Sequence, residues 1–181
     1  FKNGPAAGGD GIATAVDCID TTGFDFSNAD ASFTISISTA AGGLGGTAVT
    51  IFLDWDVDTA VVSGANKIAI GAYGLTDAQT AAAIIQALNG DTSSIIAYAT
   101  TGNGESGDDL GITAAQGSSD TQITLTMDAA GAAGNITSAL ASVSGVDIID
   151  VTAFTGGSGN SIDTKFYVNG KLNEEKTIGN R

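Results

Sequence analysis

Three aspartates, Asp54, Asp56 and Asp58, stand at every second position of the sequence. On a strand this spacing puts all three carboxylates on one face, with Trp55 and Val57 on the other. Carboxylates held so close attract a hard cation such as Ca²⁺. The calcium-loop pattern of an EF-hand is not met, because Thr59 stands where the turn glycine belongs and Ala65 where the bidentate glutamate belongs. Two readings stay open: a solvated acidic strand end, or a cation site. Glu105 with Asp108 and Asp109 forms a sparser group of the same kind. No residue is assigned as a metal ligand.

Gly102-Asn103-Gly104-Glu105-Ser106-Gly107 matches G-x-G-x-x-G. A dinucleotide site needs a helix next, so that its N-terminal amides and dipole face the pyrophosphate. Here Leu110-Gly111-Ile112-Thr113 follows, which is strand-like, and Glu105, Asp108 and Asp109 would repel phosphate. The segment reads as a glycine-rich loop between strands, and no cofactor is expected.

Serine and threonine are plentiful, but the chain has no histidine, so a Ser/His/Asp triad cannot be built. The only cysteine, Cys18, allows neither an intrachain disulfide nor a multi-cysteine zinc site, and reads as a small buried apolar residue. The glutamates are Glu105, Glu174 and Glu175, and the last two lie in a charged tail, which is poor material for a paired-carboxylate hydrolase. Asn135-Ile136-Thr137 is a glycosylation sequon of a kind that chance supplies in a Thr-rich chain. The expectation is no enzyme and no catalytic residue.

Composition bounds the rest. The chain has 181 residues, 26 of them glycine, with 20 acidic and 6 basic side chains and a formal net charge of -14. Such a charge disfavours nucleic acid and anionic membranes as partners. Hydrophobic residues make up 43%, too many for a chain disordered by charge, but many are Ala and aromatics are only 6%. The expected core is therefore of small side chains, and packing against neighbours would add stability. No apolar run approaches the roughly 20 residues of a membrane span. The chain starts at Phe1 and has no signal-peptide pattern, which reads as a processed product or an excerpt of a longer polypeptide.

The elements that must carry these residues follow from periodicity. Residues 1–11 read as a loose lead-in, 12–20 as a strand, and 21–31 as turns with Phe24 and Phe26 as anchors. Residues 32–38 alternate, with Phe33, Ile35 and Ile37 on one face, and 47–54 form a second strand after the glycine turn at 42–46, giving a hairpin. A short strand is expected over 66–70. The clearest helix spans 76–89: Thr76 and Gln79 form a capping box, Ile84, Ile85 and Leu88 an apolar stripe, and Asn89-Gly90 a left-handed stop. Strands are expected over 95–101, 110–114, 121–127 and 146–154, and a loop over 131–134. Residues 135–142 fit either a strand or a short helix. A faint repeat relates 37–54 to 112–128 as two strand–turn–strand units, with coincidence an equal alternative.

The fold class expected is mostly β (α+β): antiparallel strands in a β-sandwich-like sheet with one well-defined helix at about 76–89. Residues 1–155 read as an acidic β-rich main domain, and 156–160 (Gly-Gly-Ser-Gly-Asn) as a linker. Residues 161–181 read as a terminal β-hairpin around Asn169-Gly170, with the edge of another module as the alternative. Four of the six basic residues, Lys165, Lys171, Lys176 and Arg181, lie in this last segment.

Three segments carry a resemblance: 30–54 (DASFTISISTAAGGLGGTAVTIFLD), 75–90 (LTDAQTAAAIIQALNG) and 107–139 (GDDLGITAAQGSSDTQITLTMDAAGAAGNITSA). Their order resembles a module that recurs in virion structural proteins of tailed bacteriophages, especially marine ones. A shorter helix-plus-T-A-G-A-A-G-N version is similar to inserted domains of tail sheath and related tail proteins. The tail, with Tyr167-Val168-Asn169-Gly170, looks like the Y-x-N-G hairpin of laminin-G/concanavalin-like sandwiches, domains that accompany such modules in phage appendage proteins.

The resemblance implies a non-enzymatic virion structural protein, either a capsid decoration, neck or tail-appendage subunit. It implies a place on the virion surface, a homo-oligomeric state, and contacts with sister subunits or other virion proteins, with a host-surface glycan as a further candidate ligand. It supplies no catalytic residues. The alternatives are a bacterial or archaeal cell-surface filament or adhesin subunit, extracellular in location, and a glycan-binding module.

Overall fold

The computed structural model describes residues 12–14, 19–20, 30–59, 63–130, 135, 140–144, 154, 161–168 and 171–179. In chain order the strands are β1 (Ile12–Thr14), β2 (Ile19–Asp20), β3 (Ala31–Ile35), β4 (Val49–Asp54) and β5 (Lys67–Gly71). Helix α1 (Asp77–Leu88) follows, then β6 (Ile96–Ala97), β7 (Ile112–Gln116), β8 (Gln122–Ala130), β9 (Leu140–Ser144), β10 (Ser161–Val168) and β11 (Lys171–Gly179). The described residues are mostly β with a single α-helix, as the patterning implies.

β3 and β4 pair antiparallel, Phe33 opposite Ile51 and Ile35 opposite Val49, which is the expected hairpin. Alternation fixes its faces: Val49, Ile51 and Leu53 are buried, while Thr50, Phe52 and Asp54 are half-buried. β9 joins the other side of β3, so the ambiguous stretch is a strand from Leu140 onward. β5 lies on the far side of β4 and runs parallel to it, and β6 completes the order β6-β5-β4-β3-β9.

The β4–β5 pair departs from an all-antiparallel sheet. A parallel step needs a crossover, and residues 55–59 and 63–66 are its described part. The crossover lies against β5: Ala72 N–H donates to Asp54 O at 2.7 Å and Tyr73 N–H to Val57 O at 3.1 Å. Gly71 is required by this approach, since a Cβ there would lie 2.3 Å from Thr59 O. β5 is accordingly buried from Ile68 to Gly71 and reads as a continuous apolar run rather than an alternating one. Lys67, at its start, sets its ammonium 3.7 Å from the ring centroid of Phe52.

The second sheet is centred on β8. β7 pairs with one side of it, and β1 and β2 with the other. The single strand expected over 12–20 is thus seen as two short segments on β8, with 15–18 outside the described residues. β7 begins at Ile112, two residues later than expected, because Gly107–Leu110 coil into a 3₁₀ turn. The strand expected over 95–101 is limited to Ile96–Ala97, and the chain turns at Gly102 and Gly104 instead. The proposed repeat does not hold as two equal units: 112–128 is a β7–β8 hairpin, whereas 37–54 opens with a 3₁₀ turn at Thr39–Ala41 and contains one strand.

Helix α1 carries the expected capping box, Gln79 N–H donating to Thr76 Oγ1 at 3.3 Å and Thr76 N–H to Gln79 Oε1 at 2.9 Å. Thr80, Ala81, Ala83, Ile84, Ala87 and Leu88 are its buried face, and Ile85 is half-buried. It lies against β5, β7 and β8. Both sheets and the helix share one core, which includes Phe33, Ile51, Ile68, Ile84, Leu125 and Met127. Alanines on the helix keep it thin, so backbone comes close: a Cβ on Gly107 would lie 2.1 Å from Ala87 O.

β10 and β11 pair antiparallel as a separate two-stranded sheet, with Val168 opposite Lys171 and a register shift after Phe166. The expected turn residues Asn169 and Gly170, the loop at 131–134, the linker at 156–160 and the strand at 146–154, Phe154 apart, lie outside the described residues. So do Phe24, Phe26 and Cys18.

Candidate interaction surface

The parallel β4–β5 pair gives the five-stranded sheet two distinct ends. At the carboxyl end lie the three aspartates. β4 stops at Asp54, and the chain turns at Trp55 and Asp56. Asp56 N–H donates back to Asp54 Oδ1 at 3.1 Å, a side-chain-to-backbone turn that ends the strand. Asp30 Oδ1 accepts Trp55 N–H at 3.3 Å. The expectation of three carboxylates on one strand face is therefore corrected: the alternation is interrupted by the turn, one Asp54 oxygen is engaged, and Asp56 and Asp58 are exposed. Among the described residues no group of three or more His, Cys, Asp or Glu could hold a metal ion. Tyr73, 64% exposed, follows β5 at this end.

At the amino end of β4, three loops interlock around two asparagines. Asn66 has φ 53, in the left-handed region that Asn tolerates better than most residues. Its N–H donates to Thr101 O at 3.1 Å, and its own carbonyl accepts Thr50 N–H at 2.9 Å. Its Oδ1 accepts Asn103 N–H at 2.8 Å. Asn103 in turn sends its Nδ2 to Gly45 O at 2.8 Å and to Thr47 O at 2.7 Å. The 42–47, 64–66 and 101–104 loops are thus tied to one another by side-chain amides.

This geometry explains the G-x-G-x-x-G segment. Gly102 (φ 82) and Gly104 (φ 84) are left-handed, and a Cβ would lie 2.5 Å from Asn66 Oδ1 at the first and 2.8 Å from Val49 Cγ1 at the second. The glycines serve close loop packing. Gly107 opens a short 3₁₀ turn that leads into β7, as the strand-like reading implies, with no α-helix N-terminus for a pyrophosphate. The second acidic group is spread along this segment: Glu105 and Asp109 are exposed, and the side chain of Asp108 lies outside the described set.

The tied loops present Leu44, 40% exposed, beside exposed Gly46 and Thr47. Beneath Leu44 is a void of about 10 Å³ between Ile35, Ile37, Val49 and Leu110, room for about one water. A second, open hollow of about 280 Å³ lies by Asn89, Ile112, Thr113 and Asp128, where Thr113 Oγ1 donates to Asp128 Oδ1 at 2.7 Å. The loops at 42–47, 64–66 and 101–104 carry no charged side chain and are held by hydrogen bonds to backbone amides and carbonyls.

Asn66 and Asn103 were not singled out by sequence reasoning. Their signal is weak: an Asn after a polar turn, and an Asn inside a Gly-x-Gly, are what any loop contains. Comparison of the chain with family models, with curated proteins and with solved structures returned no match to any of them.

Proposed function

We propose that this chain is a non-enzymatic structural protein of a tailed-bacteriophage virion, a capsid decoration, neck or tail-appendage subunit that works through protein–protein contacts. The observation that carries the reading is the Asn66–Asn103 loop cluster at the amino end of β4. Loops tied down by uncharged hydrogen bonds keep one shape, and a surface of fixed shape loses little conformational freedom when a partner docks. That property suits a subunit placed in symmetric copies. The segments at 30–54, 75–90 and 107–139 support it by their resemblance to virion modules. The sister subunit or a lattice protein is the partner in this reading, and the virion surface the location.

Imaging of the native assembly tests it. Density for this chain at symmetry-related positions on a head, neck or tail is the expected result. A helical polymer on a cell surface would overturn it in favour of a filament subunit.

A further inference from the structure

Asn89 closes α1, and its carboxamide bonds as a neighbouring strand would. Nδ2 donates to Ala114 O at 2.8 Å, and Oδ1 accepts Ala114 N–H at 2.8 Å. Among the described residues β7 has a strand partner on one side only, so Asn89 covers the outward backbone of Ala114. The next residue is Gly90, at φ 74. In an Asn-Gly pair no side chain shields the following peptide nitrogen, which is then free to attack the asparagine Cγ. Here it cannot do so directly. The carboxamide would have to fold back over its own peptide bond, and Ala114 holds both of its polar ends. The corner is also tightly packed, since a Cβ on Gly107 would lie 2.4 Å from Gly90 N.

We propose that Asn89-Gly90 is a latent deamidation site gated by the joint between α1 and β7. When the joint opens, Gly90 N loses its proton and bonds to Asn89 Cγ. The carboxamide nitrogen leaves with that proton as ammonia, and a succinimide remains. Water then adds across one of the two imide C–N bonds, giving aspartate or isoaspartate, and is the only co-reactant. The new side chain still offers an acceptor to Ala114 N–H but has no donor for Ala114 O, and it sets two oxygens against each other. The modification therefore weakens the joint that had prevented it.

Peptide mass spectrometry of the full chain at mildly alkaline pH, folded and in denaturant, reads conversion at Asn89. Conversion at least about ten-fold slower in the folded chain is expected, because two hydrogen bonds must open first. Equal rates would overturn the gating. Gly90→Ala slows conversion in denaturant if Gly90 N is the nucleophile; an unchanged rate overturns that assignment. Asn89→Asp is expected to lower the folding equilibrium constant about ten-fold. A variant as stable as the parent would overturn the claimed consequence, while the folded-against-denatured comparison needs no variant to fold.

Discussion

Asn103 and Asn66 lie 37 positions apart in sequence, yet the backbone N–H of one donates to the side-chain Oδ1 of the other at 2.8 Å. The bond joins the loop after β6 to the turn before β5. From the same residue, Nδ2 reaches the loop before β4. Two side chains, those of Asn66 and Asn103, thus set the relative positions of three loops.

Asn103→Ala removes both Nδ2 bonds and leaves Gly45 O and Thr47 O to find other partners. At about 1 kcal/mol per bond, a loss of about 2 kcal/mol is expected. Denaturant unfolding measures it. If the proposed contact role is right, assembly with the partner should fall further than stability alone accounts for.

Gly102→Ala and Gly104→Ala each force a side chain into left-handed backbone, at about 1–2 kcal/mol, and each adds a clash with Asn66 or Val49. Both variants are expected to lose stability. Had these glycines served a phosphate, the same changes would leave stability nearly unaltered and abolish nucleotide binding. Thermal unfolding with and without a dinucleotide separates the two outcomes.

Thr80 is fully buried on α1, and its Oγ1 has no hydrogen-bond partner among the described residues. A buried hydroxyl left unsatisfied costs about 1–3 kcal/mol. Thr80→Val keeps the shape and removes the oxygen, so the variant should match or exceed the parent in unfolding midpoint. Thr76→Ala, four residues earlier, should do the reverse and cost about 1 kcal/mol by removing the cap.

Asp54, Asp56 and Asp58 do not converge, so Ca²⁺ should raise the thermal midpoint no more than Mg²⁺ at the same concentration. Differential scanning calorimetry checks this. A calcium-specific rise that disappears in Asp54→Asn/Asp56→Asn would restore the cation reading.

Much of this fold depends on neighbours in sequence and was legible there. The β3–β4 hairpin follows from alternation at Phe33, Ile35, Val49, Ile51 and Leu53. Helix α1 follows from Thr76, Gln79 and a run of Ala and Ile. The missing histidine and the scarcity of glutamate constrain the chemistry from composition alone. These features are local, or are properties of composition, and periods of 2 and 3.6 report them directly. What the tertiary structure alone decided is non-local. The parallel placement of β5 beside β4 turned a spaced set of aspartates into a strand end and a turn, and gave Gly71 its purpose. In sequence Asn66 and Asn103 look like ordinary loop asparagines and Asn89 like a helix stop. In the fold the carboxamide of each satisfies backbone groups far away in sequence, at Asn103, Ala114 and Gly45. A carboxamide both donates and accepts, so its partner is set by whichever backbone the fold brings near, and no spacing in the sequence encodes that choice.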